Sequence, residues 1–485
     1  MTKRNLILIA LLFTTTLTFA QDCDCKANYE WVKKTFEEND AGYQYAIENK
    51  GKQAYLDHNK KIAEKVKSAK TRTECGTILY EWLNFFRSGH VSLQINQQET
   101  QNNFVTDNSF ADWETYTIET EDFKKYLDQK KIADYEGIWE TGLYKIGIKK
   151  EGDKYIGFII ESGAETWTKG QVKLIFSLTE NKTNTVFYMY DHSAVESDKV
   201  AMIGKNYLQI GHVTLSRLYP KYDDEPRYAR YFRSIKGREP YIEKINETTL
   251  YLRVPSFDPS FKRSIDSVLN ANNEKILSTK NLIIDIRNNG GGSDASYSSI
   301  IPYLYTNPIR TIGVELLSTK LNNQRMLDFI NKPEYGFDEN DKKWAKESYD
   351  KLEAKLGQFV SLKKYPVSED RRDTIYPFPQ NVAVIINEAN GSTAEQFLLE
   401  AKQSKKTKLF GVTTFGALDI SNMYFVESPS GEFTLGYSLS RSMRIPDFTI
   451  DGKGIQPDYY LDKSIPQHEW VDFVNKIFDA YDDNN

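Results

Sequence analysis

Cysteine is scarce in this chain of 485 residues, which has only Cys23, Cys25 and Cys75. Three cysteines lack the fourth ligand of a structural zinc centre, and we predict no metal site. In an oxidising compartment, an odd number predicts one disulfide between the N-terminal region and the segment around Cys75, with one thiol left over. The spacing leaves open which of the first two cysteines pairs.

A basic excess is also missing, because the net charge is −5 and the pI is about 5.8. Without a basic stripe there is little to neutralise phosphates, so we predict no nucleic-acid partner. Long apolar runs are absent after the N-terminus. Residues 1–20 have a charged start, an apolar centre and a small residue before a plausible cleavage site, which is typical of a secretory signal peptide. We therefore expect an exported protein, periplasmic or extracellular, without stable membrane insertion after signal removal.

The spacing of apolar residues changes along the chain. Residues 21–95 have mainly helical apolar spacing, residues 100–240 alternate as β-strands do, and residues 241–485 alternate strands with helices. The predicted fold class is α/β and multidomain, with an N-terminal helical lobe, a β-rich middle domain and an α/β core. In such cores, active sites gather where parallel strands end in loops.

Two loops of the core could support chemistry. In IDIRNNGGG a strand ends in three glycines, whose uncovered N–H groups could hold an oxyanion, although a simple tight turn has the same composition. In INEANGSTAEQF a strand, a turn and a helix start surround Ser392. This pattern fits a nucleophile elbow, yet Ser392 and Glu395 also spell the S-x-x-E capping box of an ordinary helix.

These two motifs, followed by LFGVTTFG and IDGKGIQPD, resemble the peptidase domain of the C-terminal processing (tail-specific) and tricorn core serine peptidases, over about residues 241–465. The resemblance implies a crotonase/ClpP-like α/β core and Ser392 as nucleophile. It also implies an oxyanion hole formed by the N–H groups of Thr393 and of a glycine near Gly291. Glu395 is a candidate auxiliary residue, and no cofactor is implied.

The general base departs from the commoner pattern of these peptidases, because the position of their lysine is occupied by Ala417. The tricorn-like branch uses an earlier histidine, for which FRSGHVSL offers His90, oriented by a late carboxylate, here Asp451. Ser88 is a candidate helper, displaced by one position from the family pattern. His212, whose neighbours copy those of His90, is the alternative base.

The resemblance implies an exported serine endopeptidase that acts on a protein or peptide substrate through an acyl-enzyme. The alternative is an inactive peptidase-fold protein that binds a peptide or hydrophobic ligand, which the missing lysine favours. Residues 100–240 lack the glycine-rich carboxylate loop of a PDZ domain, so recognition of free C-termini is not predicted. The substrate's identity and the oligomeric state do not follow from the sequence.

Overall fold

The computed structural model describes residues 23–96, 110, 112–179 and 182–482. The predicted signal peptide, residues 1–20, lies outside these ranges. Among the described residues, no helix combines the length and the apolar character needed to cross a membrane.

The described residues form fourteen α-helices and twenty-two strands, numbered in chain order. The helices are α1 Cys25–Asn39, α2 Tyr43–Lys50, α3 Lys52–Ser68, α4 Arg72–Asn84, α5 Thr120–Asp128, α6 Pro226–Lys236, α7 Lys262–Ala271, α8 Asn273–Ile276, α9 Asp294–Tyr297, α10 Ile301–Leu304, α11 Lys320–Asn331, α12 Glu339–Glu353, α13 Thr393–Ala401 and α14 Trp470–Asp482. The strands are β1 Ser92–Ile95, β2 Gly137–Thr141, β3 Tyr144–Glu151, β4 Lys154–Ser162, β5 Val172–Thr179, β6 Lys182–Tyr188, β7 Ala194–Ser197, β8 Val200–Ile203, β9 Tyr207–Ile210, β10 Val213–Tyr219, β11 Tyr241–Lys244, β12 Thr249–Arg253, β13 Asn281–Asp285, β14 Ile309–Ile312, β15 Val314–Leu317, β16 Phe359–Val360, β17 Val367–Asp370, β18 Asn381–Ile386, β19 Thr407–Gly411, β20 Ile420–Glu427, β21 Phe433–Ser442 and β22 Tyr459–Tyr460.

The chain divides into two compact units. Unit 1 comprises Met1–Thr100, Pro308–Arg371 and Phe415–Ile455. Its main sheet runs β1-β21-β15-β16, with β20 also paired to β21. Apolar side chains of α1, α3 and α4 form one core with the inward face of β21. A disulfide joins Cys25 of α1 to Cys75 of α4, and Cys23 is a buried thiol. This pairing confirms the predicted single disulfide and identifies its N-terminal partner.

Unit 2 comprises Gln101–Asn307, Arg372–Thr414 and Gln456–Asn485. It contains an antiparallel sheet of nine strands, in the order β7-β6-β5-β4-β3-β2-β10-β9-β8. It also contains a six-stranded sheet in the order β11-β12-β13-β18-β19-β22, parallel throughout except for β11.

The register of the parallel sheet positions the two loops of interest. Asp285 of β13 pairs with Ile385 of β18, so the two neighbouring strands end at the same edge of the sheet. β13 and β18 are central and almost wholly buried, as expected for parallel strands covered on both faces. The glycine loop and the serine turn, which follow these strands, therefore leave the sheet side by side.

The predicted α/β multidomain fold class is confirmed. The two compact units nevertheless cut across the predicted linear boundaries. Strand β1, just after the helical segment, pairs with β21 more than three hundred residues later. The helical segment is therefore packed into unit 1 instead of standing as a separate lobe.

Candidate active site

The turn that carries Ser392 follows β18 and leads directly into α13. Ser392 has φ +56° and ψ −127°, a left-handed conformation that costs energy for any residue with a side chain. It occupies the N-cap position of α13, yet its side chain makes no capping hydrogen bond. Glu395 is fully buried and accepts a hydrogen bond from Thr414 Oγ1 instead of completing a capping box. Helix capping therefore does not explain this serine.

The glycine loop packs directly against this turn within unit 2. Gly291 has φ +106°, and a Cβ added to it would lie 2.8 Å from Ser392 Cβ and 2.8 Å from Thr393 N. Only glycine tolerates both the backbone conformation and the close approach. Thr393 Oγ1 also donates to the carbonyl of Gly292 at 2.9 Å. The structure thus brings Ser392, Thr393 and Gly291 close together.

The two predicted oxyanion donors are in different situations. Thr393 is the first residue of α13, where a backbone N–H has no acceptor within the helix and points out of the helix N-terminus. The N–H of Gly291 donates to Asn289 Oδ1 at 3.0 Å. Gly291 could therefore serve an oxyanion only by sharing this hydrogen or by leaving Asn289.

A buried ionic cluster anchors the end of strand β13 beneath the glycine loop. Asp285 is fully buried, receives a hydrogen bond from Tyr251 at 2.8 Å and pairs with Arg287. Burial alone would raise the pKa of Asp285, but the charges of Arg287 and Arg253 hold it at about 2. The carboxylate therefore stays charged and keeps this strand end fixed.

His90 lies in unit 1, between α4 and β1, in a backbone conformation held by its neighbours. Its φ is +52°, which is unusual for a non-glycine residue. Arg87 donates to the carbonyls of Gly89 at 3.1 Å and His90 at 2.9 Å. Arg87 is itself fixed by an ion pair with the buried Asp40, and Ser438 donates to the His90 carbonyl at 3.1 Å. The backbone that carries the imidazole is therefore held firmly in a strained conformation.

The tautomer of His90 follows from its hydrogen bond. His90 Nδ1 lies 2.7 Å from the carbonyl oxygen of Ile420. Because a carbonyl oxygen can only accept, the proton is on Nδ1 in the neutral ring, and Nε2 carries the lone pair. Burial lowers the pKa of His90, although the Ile420 carbonyl and the charge of Asp451 act in the opposite direction. A neutral imidazole with a basic Nε2 is the form that a general base requires.

Asp451 supports the segment that holds His90. Its carboxylate accepts the backbone N–H groups of Leu418 and Asp419 at 2.6 Å each and that of Ile420 at 3.1 Å. Burial raises the pKa of Asp451, and these N–H groups oppose the rise. The sequence prediction had the carboxylate orienting the far ring nitrogen directly. In the structure that nitrogen contacts the Ile420 carbonyl, which belongs to the segment bound by Asp451.

Ala417 occupies the position of the lysine in the commoner pattern. It is buried, and a Cβ added to Gly89 would lie only 2.4 Å from Ala417 Cβ. The histidine-bearing segment thus runs against this alanine. Two other lysines lie nearby in sequence, in unit 2. Lys408 is exposed, whereas burial lowers the pKa of Lys406 to about 8.

The alternative residues lie in other settings. His212 is exposed in the turn between β9 and β10 of the nine-stranded sheet. Ser88 is also exposed. His192 is buried and stacked between Phe110 and Trp167, at ring-centroid distances of 3.8 and 3.7 Å.

Sequence reasoning missed four asparagines that connect the glycine loop to the serine turn. They are Asn288, Asn289, Asn387 and Asn390. The only signal was the repetition of asparagine in RNNGGG and NEANG, a residue type that is also common in ordinary turns.

Comparison with known proteins agrees with this geometry. Residues 248–461 match the model of peptidase family S41. This part of the core is similar to S41 peptidase domains. The matched segment contains the glycine loop, Ser392 and Asp451, and the family places the domain among the serine peptidases. His90 lies before the matched segment. No curated protein sequence matches the chain.

Solved structures have a similar fold over most of the chain. A crystal structure of mature CPAF is 12% identical in sequence, with a TM-score of 0.50, and covers 93% of this chain and 96% of its own. Mature CPAF complexed with lactacystin is 13% identical, with a TM-score of 0.51, and covers 93% of this chain and 97% of its own. At such identities the similarity establishes the fold alone.

Proposed function

We propose that this chain is an exported serine endopeptidase that hydrolyses protein or peptide substrates through an acyl-enzyme on Ser392. Ser392 Oγ attacks the scissile carbonyl while its proton passes to His90 Nε2. The imidazolium then returns that proton to the leaving amine as the peptide bond breaks. Water, deprotonated by the same nitrogen, releases the acyl group and regenerates the hydroxyl.

The observation that carries this proposal is the conformation of Ser392. A strained serine between a central parallel strand and a helix start, whose side chain does not cap that helix, matches the nucleophile elbow of unrelated hydrolases. A merely structural serine would adopt the relaxed, extended conformation of an ordinary N-cap. The strain is maintained by the surrounding loops, which is typical of active-site residues.

The proposed base is His90. Its support is the tautomer, since the proton on Nδ1 leaves Nε2 able to accept the hydroxyl proton. Asp451 is a positioning residue in this proposal, because it fixes the backbone whose carbonyl orients the ring. His212 is the alternative base, and Ser88 and Glu395 are candidate auxiliary residues.

The negative charge of the tetrahedral intermediate would be stabilised at the helix N-terminus. The N–H of Thr393 is the first donor. Gly291 supplies the second when substrate draws its hydrogen away from Asn289 Oδ1. A donor directed at a developing oxyanion typically contributes about 3 to 4 kcal/mol to catalysis.

Export is supported by the predicted signal peptide and by the disulfide between Cys25 and Cys75. Such bonds persist mainly outside the reducing cytoplasm. The proposed location is therefore the periplasm or the extracellular space. The proposed reaction requires no metal or organic cofactor, because nucleophile, base and oxyanion donors all belong to the chain.

A second candidate, an inactive peptidase-fold protein that binds a peptide or hydrophobic ligand, has two supporting observations. Ala417 replaces the usual lysine, and the N–H of Gly291 is already occupied. The two candidates make opposite predictions about a reagent that acylates or phosphonylates activated serines.

The test uses the purified mature chain with a fluorophosphonate probe and an unfolded protein substrate. We expect labelling and cleavage by the wild type, and neither by Ser392→Ala, whose circular dichroism should remain unchanged. His90→Ala should abolish both activities, with the exposed His212→Ala as its matched control. Activity lost in His212→Ala but kept in His90→Ala would move the base to His212.

Wild-type chain that neither reacts with the probe nor cleaves a peptide library would overturn the enzyme proposal in favour of the binding protein. Lactacystin offers an independent probe, because the structure of mature CPAF, which has a similar fold, is known in complex with it. Binding that depends on Ser392 would support an accessible site at this serine.

A further inference from the structure

The glycine loop and the serine turn are joined by a reciprocal pair of asparagine side chains. The backbone N–H of Asn288 donates to Asn387 Oδ1 at 2.9 Å, and Asn387 Nδ2 donates back to Asn288 Oδ1 at 2.8 Å. The same Asn387 Oδ1 accepts the N–H of Ala389 at 3.3 Å, within its own turn. Asn387 is 2% exposed, so these bonds are largely shielded from water.

A second asparagine makes a deeper connection between the same loops. Asn390 is fully buried, and its Nδ2 donates to the carbonyls of Ile286 at 2.6 Å and Asn289 at 3.0 Å. Its Oδ1 accepts the N–H of Asn387 at 2.7 Å. Asn390 thus holds the carbonyls of one loop and an N–H of the other at the same time.

These asparagine side chains connect the two loops beyond the end of the sheet. The ladder between β13 and β18 fixes the two strands up to Asp285 and Ile385. In the described part of the chain beyond it, the glycine loop forms a backbone bridge with Phe257, but no ladder pair joins it to the serine turn. A primary amide offers both an acceptor and two donors, so it can replace ladder bonds of either polarity. An aspartate lacks the donors, and an apolar residue would leave buried backbone groups unpaired.

We propose that the side chains of Asn288, Asn387 and Asn390 form a clamp that fixes the glycine loop against the Ser392 turn. Asn387 is its central positioning residue. In catalysis this clamp would keep the glycine N–H groups at a fixed distance from the oxyanion formed at Ser392. That consequence rests on the proposed function. The mechanical role of the clamp does not, because it concerns only how firmly two loops of unit 2 are joined.

The experiment compares Asn387→Ala with Asn381→Ala. Asn381 is a matched control, because its side chain donates to Asn281 Oδ1 at 2.9 Å across the same two strands, at their opposite end. Asn387→Asp, which keeps the acceptor and loses the donor, should be intermediate and replaces the alanine variant if that one does not fold. Hydrogen exchange of residues 287–293 and steady-state cleavage of an unfolded protein are measured for each.

In Asn387→Ala we expect faster exchange in the glycine loop, about a hundred residues away in sequence. We also expect a kcat lower by about 10- to 100-fold with KM within about twofold, since the oxyanion donors are misplaced and substrate contacts remain. Asn381→Ala should leave loop exchange unchanged and kcat within about twofold of the wild type.

Unchanged exchange in residues 287–293 of Asn387→Ala would overturn the clamp, and so would a loss of kcat matched by Asn381→Ala. If the wild type shows no serine reactivity, the enzyme proposal fails by itself. The exchange measurement then decides the clamp alone: acceleration confined to Asn387→Ala supports it, and no acceleration overturns it.

Discussion

The substitution Asp451→Asn tests how the carboxylate acts on His90. It preserves the size of the side chain but removes its charge and one of its two acceptor oxygens. The introduced amide could still accept the N–H groups of Leu418 and Asp419 through its single oxygen. Its NH₂ group would then face the N–H of Ile420, where a carboxylate oxygen now accepts at 3.1 Å.

The expected loss of stability follows from these contacts. A donor facing a donor leaves a partly buried N–H without a partner, which costs about 1 to 3 kcal/mol. The two remaining bonds change from charged to neutral acceptors, which costs about 1 kcal/mol more in total. Relief of the burial of the Asp451 charge and of its repulsion with Asp419 offsets part of this. We expect a net loss of about 1 to 3 kcal/mol.

The expected effect on activity is moderate, because the tautomer of His90 depends on the Ile420 carbonyl and that acceptor remains. A displaced ring should lower kcat by about 10- to 100-fold. In triads whose carboxylate binds the imidazole directly, the corresponding amide costs about 10⁴-fold, because it favours the wrong tautomer. Stopped-time cleavage assays and chemical denaturation of the same preparations measure both quantities. A loss of about 10⁴-fold without destabilisation would show direct contact in the working enzyme and refute our reasoning.

Three further predictions address other parts of the site. Because burial lowers the pKa of His90, kcat/KM should reach half its maximum below about pH 6.5 on the acid side, and a midpoint above that value would contradict this. Gly89→Ala should destabilise unit 1 and abolish cleavage, since the added Cβ would lie 2.4 Å from the Cβ of Ala417. Thermal unfolding and a cleavage assay test this prediction, and wild-type stability and activity in the variant would contradict it. Cys25→Ser should lower the free energy of unfolding by about 4 kcal/mol, because the disulfide closes a loop of 50 residues. Cys23→Ser should leave the denaturation midpoint nearly unchanged. Equal midpoints for the two variants would contradict a stabilising disulfide.

The role of Ser392 shows what a local pattern cannot decide. The letters S-x-x-E are equally compatible with a capping box and with an elbow. The decision depends on the backbone angles of Ser392 and on the partner of Glu395, which is Thr414, nineteen residues later in the chain. Only the order of four motifs along the sequence pointed to the elbow before the structure was known.

The surroundings of the other site residues were harder to predict. Scarcity of histidine made His90 easy to propose, but the acceptor of its Nδ1 is a backbone carbonyl, which no residue type encodes. The role of the asparagines could not be predicted either, since their partners in the other loop lie about a hundred residues away. The parallel register of β13 and β18 makes those contacts, and periodicity alone does not reveal it.

The packing of Ala417 accounts for the missing lysine without requiring an inactive protein. Gly89 approaches so closely that neither position has room for a larger side chain pointing toward the other. The segment that presents His90 therefore occupies space next to the position where the lysine of the commoner pattern begins. If His90 is the base, as we propose, a long side chain at position 417 that points toward Gly89 would push against the segment that presents it. On this proposal, Ala417→Lys should displace the His90 segment and lower activity instead of restoring the commoner site.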